Sequence, residues 1–584
     1  MQRRNFWLFL LFVWPLWGQN DYRLPKAVLL TTGADEGRGT VSDGAVEALY
    51  QFNRHGIPLR FESRDILLQP ERLARYDILL IPDIHGYHDH VPSAGLNRMS
   101  REELENIRQW VENGGTLVAS FNTGRDTPRG QDRMVLFGAL QAPAWPLGRC
   151  LTGPVRERPL RRAALAWSGG DTIAHVREAW LPLSGQAPRG ARVWSYWLSD
   201  DGRFPAFMSV PCGKGHWIVI PSFRLLHPAA DGGWSGASTL RRAYDSIVHA
   251  ALPSGAPVTG IWPWPHGREA AYAQTFDDGG NLSQYRRVLR FVDRFELPTV
   301  FFITAEVQGP IRRLLDQNPH IDIQGHSHSH PDFRRIDYPA TRRELLLNVR
   351  DLGKQPEGFR FPYVSNSFYG MLALDDLGFV YETSIAAPHK EFVRGSVVPY
   401  NIPVFRDDYY RTLNLLEISQ IYRSDWYFYQ ASLDTLPYTG ALQARDAARF
   451  RSYLREYFLT YVKPRHGAMV FLGHPMYAGY SDVTMQPLYD LLELLKKENV
   501  WITNLGNLAR WWKRRASAEI KVVPHKGKVV LHIRSAEPLN GLTLKLASRP
   551  KSVKMCGKYH IQENNGQFLL ILEKLKSEKI ELVY

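Results

Sequence analysis

The sequence predicts an α/β protein: a distorted (β/α) barrel in its second half, a separate α/β domain before it, and a small β-sandwich at the end. Three observations carry this. Apolar runs of strand length alternate with helical patterns from about Lys26 to Trp512, the pattern of sheets flanked by helices. Four polar motifs between Ala270 and Pro475 each stand directly after such a run, and functional groups at the carboxyl ends of successive strands are what a β/α barrel offers. From Ala518 to Tyr584 the pattern turns to short alternating strands rich in lysine, such as Lys528–Ile533 and Phe568–Leu572, as in a sandwich.

The chain begins with a targeting signal. Arg3 and Arg4 precede the apolar run Phe6–Trp14, and Gly18 offers a small residue for cleavage. The run is shorter than the ~20 residues of a membrane span, so residues 1–18 read as a signal peptide, an uncleaved anchor being the alternative. No cysteine follows the run, which argues against a lipoprotein, and no later stretch is apolar enough to span a membrane. The expected location is therefore secreted, periplasmic or cell-surface. The three cysteines, Cys150, Cys212 and Cys556, form neither a zinc pattern nor a disulfide framework.

Residues 26–252 read as the first α/β domain. Ala27–Leu30, Asp77–Ile81 and Thr116–Phe121 are strands, and Asp43–Arg54 is a helix. Ser100, with Glu103 three residues on, caps a second helix through Val111 as a capping box. The cluster His85, His88, Asp89 and His90 reads as a solvated loop, with a metal site as the alternative. Tryptophans between Trp145 and Trp217 read as core. Residues 253–265, rich in Pro, Gly and Trp, read as a linker. The barrel then runs over 266–512. Its helices are expected at Tyr285–Phe295, Arg342–Leu352, Asp446–Val462 and Pro487–Lys497, with the aromatic stretch Tyr422–Tyr429 walling a cleft. Residues 518–584 form the sandwich.

Lys and Arg number 72 against 58 acidic residues, a net of 72 − 58 = +14. Such a balance suits an anionic cell-surface polymer as partner, or serves solubility alone. No nucleic-acid motif is present, so nucleic acid is excluded as a partner.

Four motifs carry chemistry. In Thr275–Gly279 two carboxylates stand side by side, and in an extended segment neighbouring side chains face opposite ways. Asp277 and Asp278 therefore divide the work, one facing a metal and one a substrate; an acidic turn is the bland alternative. In Gln324–Pro331 three histidines fall in five positions. His326 and His330 are four apart, and histidine with carboxylate suits zinc and other borderline divalent metals. Arg360–Tyr363 and Gly473–Pro475 complete the set.

Together TFDDG, HSHSHP, RFPY and LGHP resemble the motifs of the polysaccharide deacetylases, the NodB-homology domain of carbohydrate esterase family four, over Trp262 to Trp512. The resemblance implies Asp277 as catalytic base and Asp278, His326 and His330 as ligands of a divalent metal, Zn2+. It implies that Arg360 orients Asp277 and that His474 is the general acid. Tyr363 supplies a backbone N–H to the oxyanion, and Leu472 shapes the acetyl pocket. His328 is left as a structural histidine. Val364 stands where the family has glycine. Asp425 and Glu382 are both candidates for the carboxylate that supports His474; Asp425 lies far along the chain, Glu382 nearer the usual distance. The first domain resembles the class I glutamine amidotransferase-like fold, a Rossmann-like or flavodoxin-like arrangement. Asn122 holds the place of that fold's cysteine nucleophile, which makes the domain non-catalytic.

The expected function is a secreted, metal-dependent hydrolase that removes N-acetyl groups from an N-acetylated polysaccharide and releases acetate. A non-catalytic glycan-binding protein on a deacetylase scaffold, and a metal hydrolase of a small amide, are the alternatives.

Overall fold

Four sheets organise the described residues of the chain in its computed structural model. The structure describes residues 21–30, 41, 43–81, 100–120, 160–167, 172–179, 187, 190–199, 202–221, 223–226, 237–387, 395–406, 409–434, 437–564, 566–575 and 579–584. The signal segment, the His85–His90 cluster, Asn122 and Cys150 lie outside these residues.

The barrel sheet places Ala270–Asp277 near its centre. All eight of its residues are buried, as expected of a parallel strand covered on both faces. Thr299–Ile303, Ile321–Gly325, Gly358–Phe359, Tyr381–Glu382 and Tyr409–Glu417 follow on one side, all parallel. Ala468–Gly473 and Val500–Ile502 pair with the other side. Tyr400–Arg406 adds an antiparallel edge. A single parallel bridge from Gln420 to Val470 joins the two ends of the sheet, so the barrel closes through one residue and is distorted there.

Helices start where side chains can cap them. Asn281 and Gln284 form a capping box before Leu282–Phe295. Asp337 accepts from the Ala340 N–H before Tyr338–Leu352, with Pro339 in the first turn, so this helix begins four residues ahead of the expected Arg342. Ser481 likewise starts Asp482–Lys497 earlier than expected. The polar pattern hides these first turns, because they lie before the apolar repeat. The expected Tyr422–Tyr429 wall is in part a helix, Asp425–Leu433.

In the first domain, Leu59–Glu62, Ala27–Leu30, Ile78–Ile81, Thr116–Ser120 and Gly215–Ile220 form a parallel sheet. Four antiparallel strands extend it, Gly202–Cys212, Arg192–Ser199, Leu160–Trp167 and Thr172–Ala179. The Ser100–Glu103 capping box is present. Trp194, Trp197 and Trp217 are buried. No helix among the described residues is long and apolar enough to cross a membrane.

The stretch expected as a linker is not a loose connection. Val258–Ile261 is a strand that pairs with Leu542–Leu546 of the sandwich, and the Trp262 N–H donates to the Thr543 carbonyl. At the other end of the first domain, Tyr22–Arg23 pairs with Glu519–His525. Each sheet of the sandwich thus takes one strand from outside 518–584. Val258 and Ile261 are apolar and buried, and a short apolar strand left unpaired exposes its edge. The Lys463–Gly467 turn of the barrel ties the units together. Its Arg465 and His466 carbonyls accept from Asn53 Nδ2 at 3.1 and 3.3 Å, and the His466 carbonyl also accepts from Trp264 Nε1 at 2.8 Å.

Cutting the chain after Ser517 should therefore yield aggregated protein, because the Val258–Ile261 edge and the Trp262 face lose their cover. Size-exclusion chromatography of the truncated chain checks this; a monomeric, folded product would overturn the shared-strand account.

Candidate active site

The site is assembled at the carboxyl ends of the central strands. Asp277 is the last residue of Ala270–Asp277 and is 8% exposed. Arg360, fully buried, donates from Nη1 to Asp277 Oδ1 at 2.8 Å and to Thr275 Oγ1 at 2.9 Å. Its Nε donates to the Thr383 carbonyl at 3.0 Å, and its guanidinium lies 4.4 Å from the centre of the Phe302 ring. Burial alone would raise the Asp277 pKa. Arg360 outweighs it, with His326 and His474 adding to the effect, and the carboxyl is held below its ordinary value. Asp277 is thus an anion at neutral pH, held in place from one side.

Asp278 turns the other way, as the alternation of an extended chain requires. Its Oδ2 accepts from the Thr304 N–H at 2.7 Å and from Thr304 Oγ1 at 2.6 Å, so its other oxygen remains for a ligand. His326 Nδ1 meets the Arg360 carbonyl at 2.7 Å; as a donor there, it leaves Nε2 with its lone pair outward. His330 sits across from it, with ring centres 5.1 Å apart. Burial first, and then His326, lower the His330 pKa, so the ring is neutral at pH 7. One ligand atom from each of Asp278, His326 and His330 lies within 4.8 Å of the others. This His₂–carboxylate set fits a divalent cation and leaves coordination positions open.

His328 is turned away from this set and pairs with Asp351. Ser329 donates from its N–H and hydroxyl to Glu344, each at 2.9 Å.

His474 follows the Ala468–Gly473 strand, and Leu472 is buried two residues before it. Asp425 is the carboxylate against His474: Oδ1 meets Nδ1 at 2.8 Å, and Oδ2 accepts from the His474 N–H at 2.7 Å. The Trp426 and Ala478 N–H groups also donate to Asp425. Burial would lower the His474 pKa; Asp425, then Asp277, outweigh it and raise it. Glu382 does not take this role. It is in register with Glu417 on the neighbouring strand, and burial raises the pKa of both. The sequence distance that favoured Glu382 misleads because Asp425 comes back to His474 on a helix beyond the Tyr400–Glu417 hairpin.

Backbone strain gathers here. Ser327, His330, Tyr363 and Val364 all have positive φ, at 78°, 55°, 55° and 49°. Such values in residues other than glycine cluster at functional sites. Tyr363 is 64% exposed, with its ring 4.5 Å from that of His330. Val364, where glycine was expected, takes the left-handed conformation all the same.

Sequence reasoning missed Thr304, Asn348 and Asp351. Thr304 had a signal: it is the first polar residue after the apolar run Val300–Ile303.

Residues 266–381 match the polysaccharide deacetylase family profile. The chain carries a polysaccharide deacetylase domain. The match takes in Asp277, Asp278, His326, His330 and Arg360, and ends before Asp425 and His474. On that match the protein is an enzyme of the deacetylase class. No curated protein matches the chain. Among solved structures, one from Mycobacterium smegmatis described as a polysaccharide deacetylase is 21% identical over 44% of this chain and 94% of that chain, at a TM-score of 0.35. Puue allantoinase is 16% identical over 43% and 92%, at a TM-score of 0.33. A probable polysaccharide deacetylase from Pseudomonas aeruginosa PAO1 is 16% identical over 43% and 93%, at a TM-score of 0.34. The first domain and the sandwich lie outside the family match, and the amidotransferase-like reading of the first domain rests on its strand and helix pattern alone.

Asp425→Asn should lower the His474 pKa, because the charge that holds the imidazolium proton is gone while the shape is kept. An NMR titration of the His474 ring reads this; an unchanged midpoint would show that Asp425 does not set the proton's affinity.

Proposed function

We propose that the protein is a metal-dependent N-deacetylase of an N-acetylated polysaccharide, secreted through its N-terminal signal. The observation that carries this is the convergence of three groups at one barrel end: an anionic Asp277 held by Arg360, a His474 whose proton is held by Asp425, and the Asp278–His326–His330 set.

Asp278, His326 and His330 would hold a divalent ion, for which the donor set favours Zn2+. Once bound, such an ion supplies Lewis acidity that polarises an amide carbonyl and makes water more acidic. The protein's own groups do the rest. Asp277 takes the proton from the water that attacks the acetamide carbon. The backbone at Tyr363, turned by its positive φ, supplies an N–H to the oxygen that gains charge; one such donor is worth roughly 2.7–4 kcal/mol. His474 gives its proton to the amine nitrogen as the C–N bond breaks. Acetate and a free amine leave. Leu472 lines the place of the acetyl methyl. Asp277 and His474 have their pKa values pushed apart in the directions that base and acid need.

A polymer is favoured over a small amide by the exposed aromatic residues nearby. Trp426 and Tyr427, directly after Asp425, are 49% and 46% exposed, and Tyr363 beside His330 is 64% exposed. Aromatic faces left in water next to a polar cleft suit the apolar faces of sugar rings. The excess of 14 positive charges suits an anionic wall or surface polymer as the setting.

Acetate release from a panel of N-acetylated glycans, with chelator and with added zinc, tests the proposal. Release should require the metal, and Asp277→Asn should lower kcat about 10²- to 10⁴-fold with zinc still bound. Full activity of that variant would remove Asp277 as the base.

A further inference from the structure

The helix Tyr338–Leu352 carries a polar stripe at Glu344, Asn348 and Asp351, spaced to share one face. Its members reach Ser329, Ser327 and His328 of the histidine loop in turn. The central one is buried, with 1% exposure. Asn348 Nδ2 donates to the Ser327 carbonyl at 2.7 Å and to the Ile303 carbonyl at 3.2 Å. Only the NH₂ end of an amide can face two carbonyls, so its orientation follows from its partners.

Each acceptor adjoins a group that sets a metal ligand. Ser327 follows His326, and its hydroxyl accepts from the His330 N–H at 3.0 Å. Ile303 precedes Thr304, which holds Asp278, and the Ile303 carbonyl also accepts from the His326 N–H at 3.2 Å. One amide therefore ties together the two loops that aim all three ligands. Asn348 Oδ1 is buried without a hydrogen-bond partner, so the amide is anchored through its NH₂ end alone. Ser327 is meanwhile held at a φ of 78°, which needs outside support.

We infer that Asn348 is a positioning residue for the metal site: by bridging the Ser327 and Ile303 carbonyls it sets Asp278, His326 and His330 in ligating geometry. The inference rests on the metal reading of the site. Asn348→Asp keeps the shape but points a carboxylate at two carbonyl oxygens. Asn348→Ser keeps a single donor, which can serve one carbonyl at most.

The test is zinc affinity by competition with a chromophoric chelator, on the full chain, at a temperature where circular dichroism shows each variant folded. The expected result is a 10- to 100-fold weaker zinc affinity for Asn348→Asp, as for other outer-shell changes, a smaller loss for Asn348→Ser, and kcat restored by excess zinc. Should Asn348→Asp not fold, Asn348→Ser decides alone. Zinc bound by folded variants within about twofold of wild type would overturn the inference and leave the metal reading standing. A wild-type chain that binds no zinc would overturn both.

Discussion

The Arg360 guanidinium is the contact on which the site depends. It is fully buried and joins the strands that end at Asp277, Phe359 and Glu382 through Asp277, Thr275 and Thr383. Its own carbonyl fixes the His326 ring, and its N–H donates to the Gly325 carbonyl. One residue thus holds Asp277 with its side chain and the His326 ring with its backbone. A buried charge of this kind is tolerated only when paired. Removing Asp277 or Arg360 leaves the partner's charge buried and alone, at about 3–5 kcal/mol, so stability and chemistry are coupled at this pair.

The same burial acts differently on four carboxyl groups. Asp277 is held low by a guanidinium. Asp425 is spent on His474 and on three backbone N–H groups, those of Trp426, His474 and Ala478. Glu382 and Glu417 lie in register on neighbouring strands, and burial pushes the pKa of both up. The barrel end therefore holds one carboxyl below its ordinary pKa and two above it. Residue type alone does not distinguish them.

The sandwich is less a domain than a clasp. Two of its strands come from the segments on either side of the first α/β domain, and Lys545 on one of its strands donates to the Arg54 carbonyl at 2.6 Å. The barrel's Lys463–Gly467 turn meets both neighbours: Arg465 lies over Tyr50, and His466 over Trp262.

Much of this was legible in the sequence. The barrel strands announced themselves because a parallel strand buried on both faces is a continuous apolar run, and the motif residues because each stands where such a run stops. The alternation of an extended chain was enough to divide Asp277 from Asp278. What the sequence left open or did not reveal follows one rule. Asp425, Thr304, Asn348 and the Val258–Ile261 strand act through partners 49, 26, 21 and up to 45 residues and 285 residues away, and no local pattern encodes which distant segment a short polar side chain or a four-residue strand will meet. Local periodicity and residue chemistry determined the elements and the reacting groups. Only the tertiary structure decided which carboxylate meets His474, which amide bridges the Ser327 and Ile303 carbonyls and which strands complete the sandwich, because those choices are made by burial and by hydrogen bonds that exist only once the chain has closed on itself.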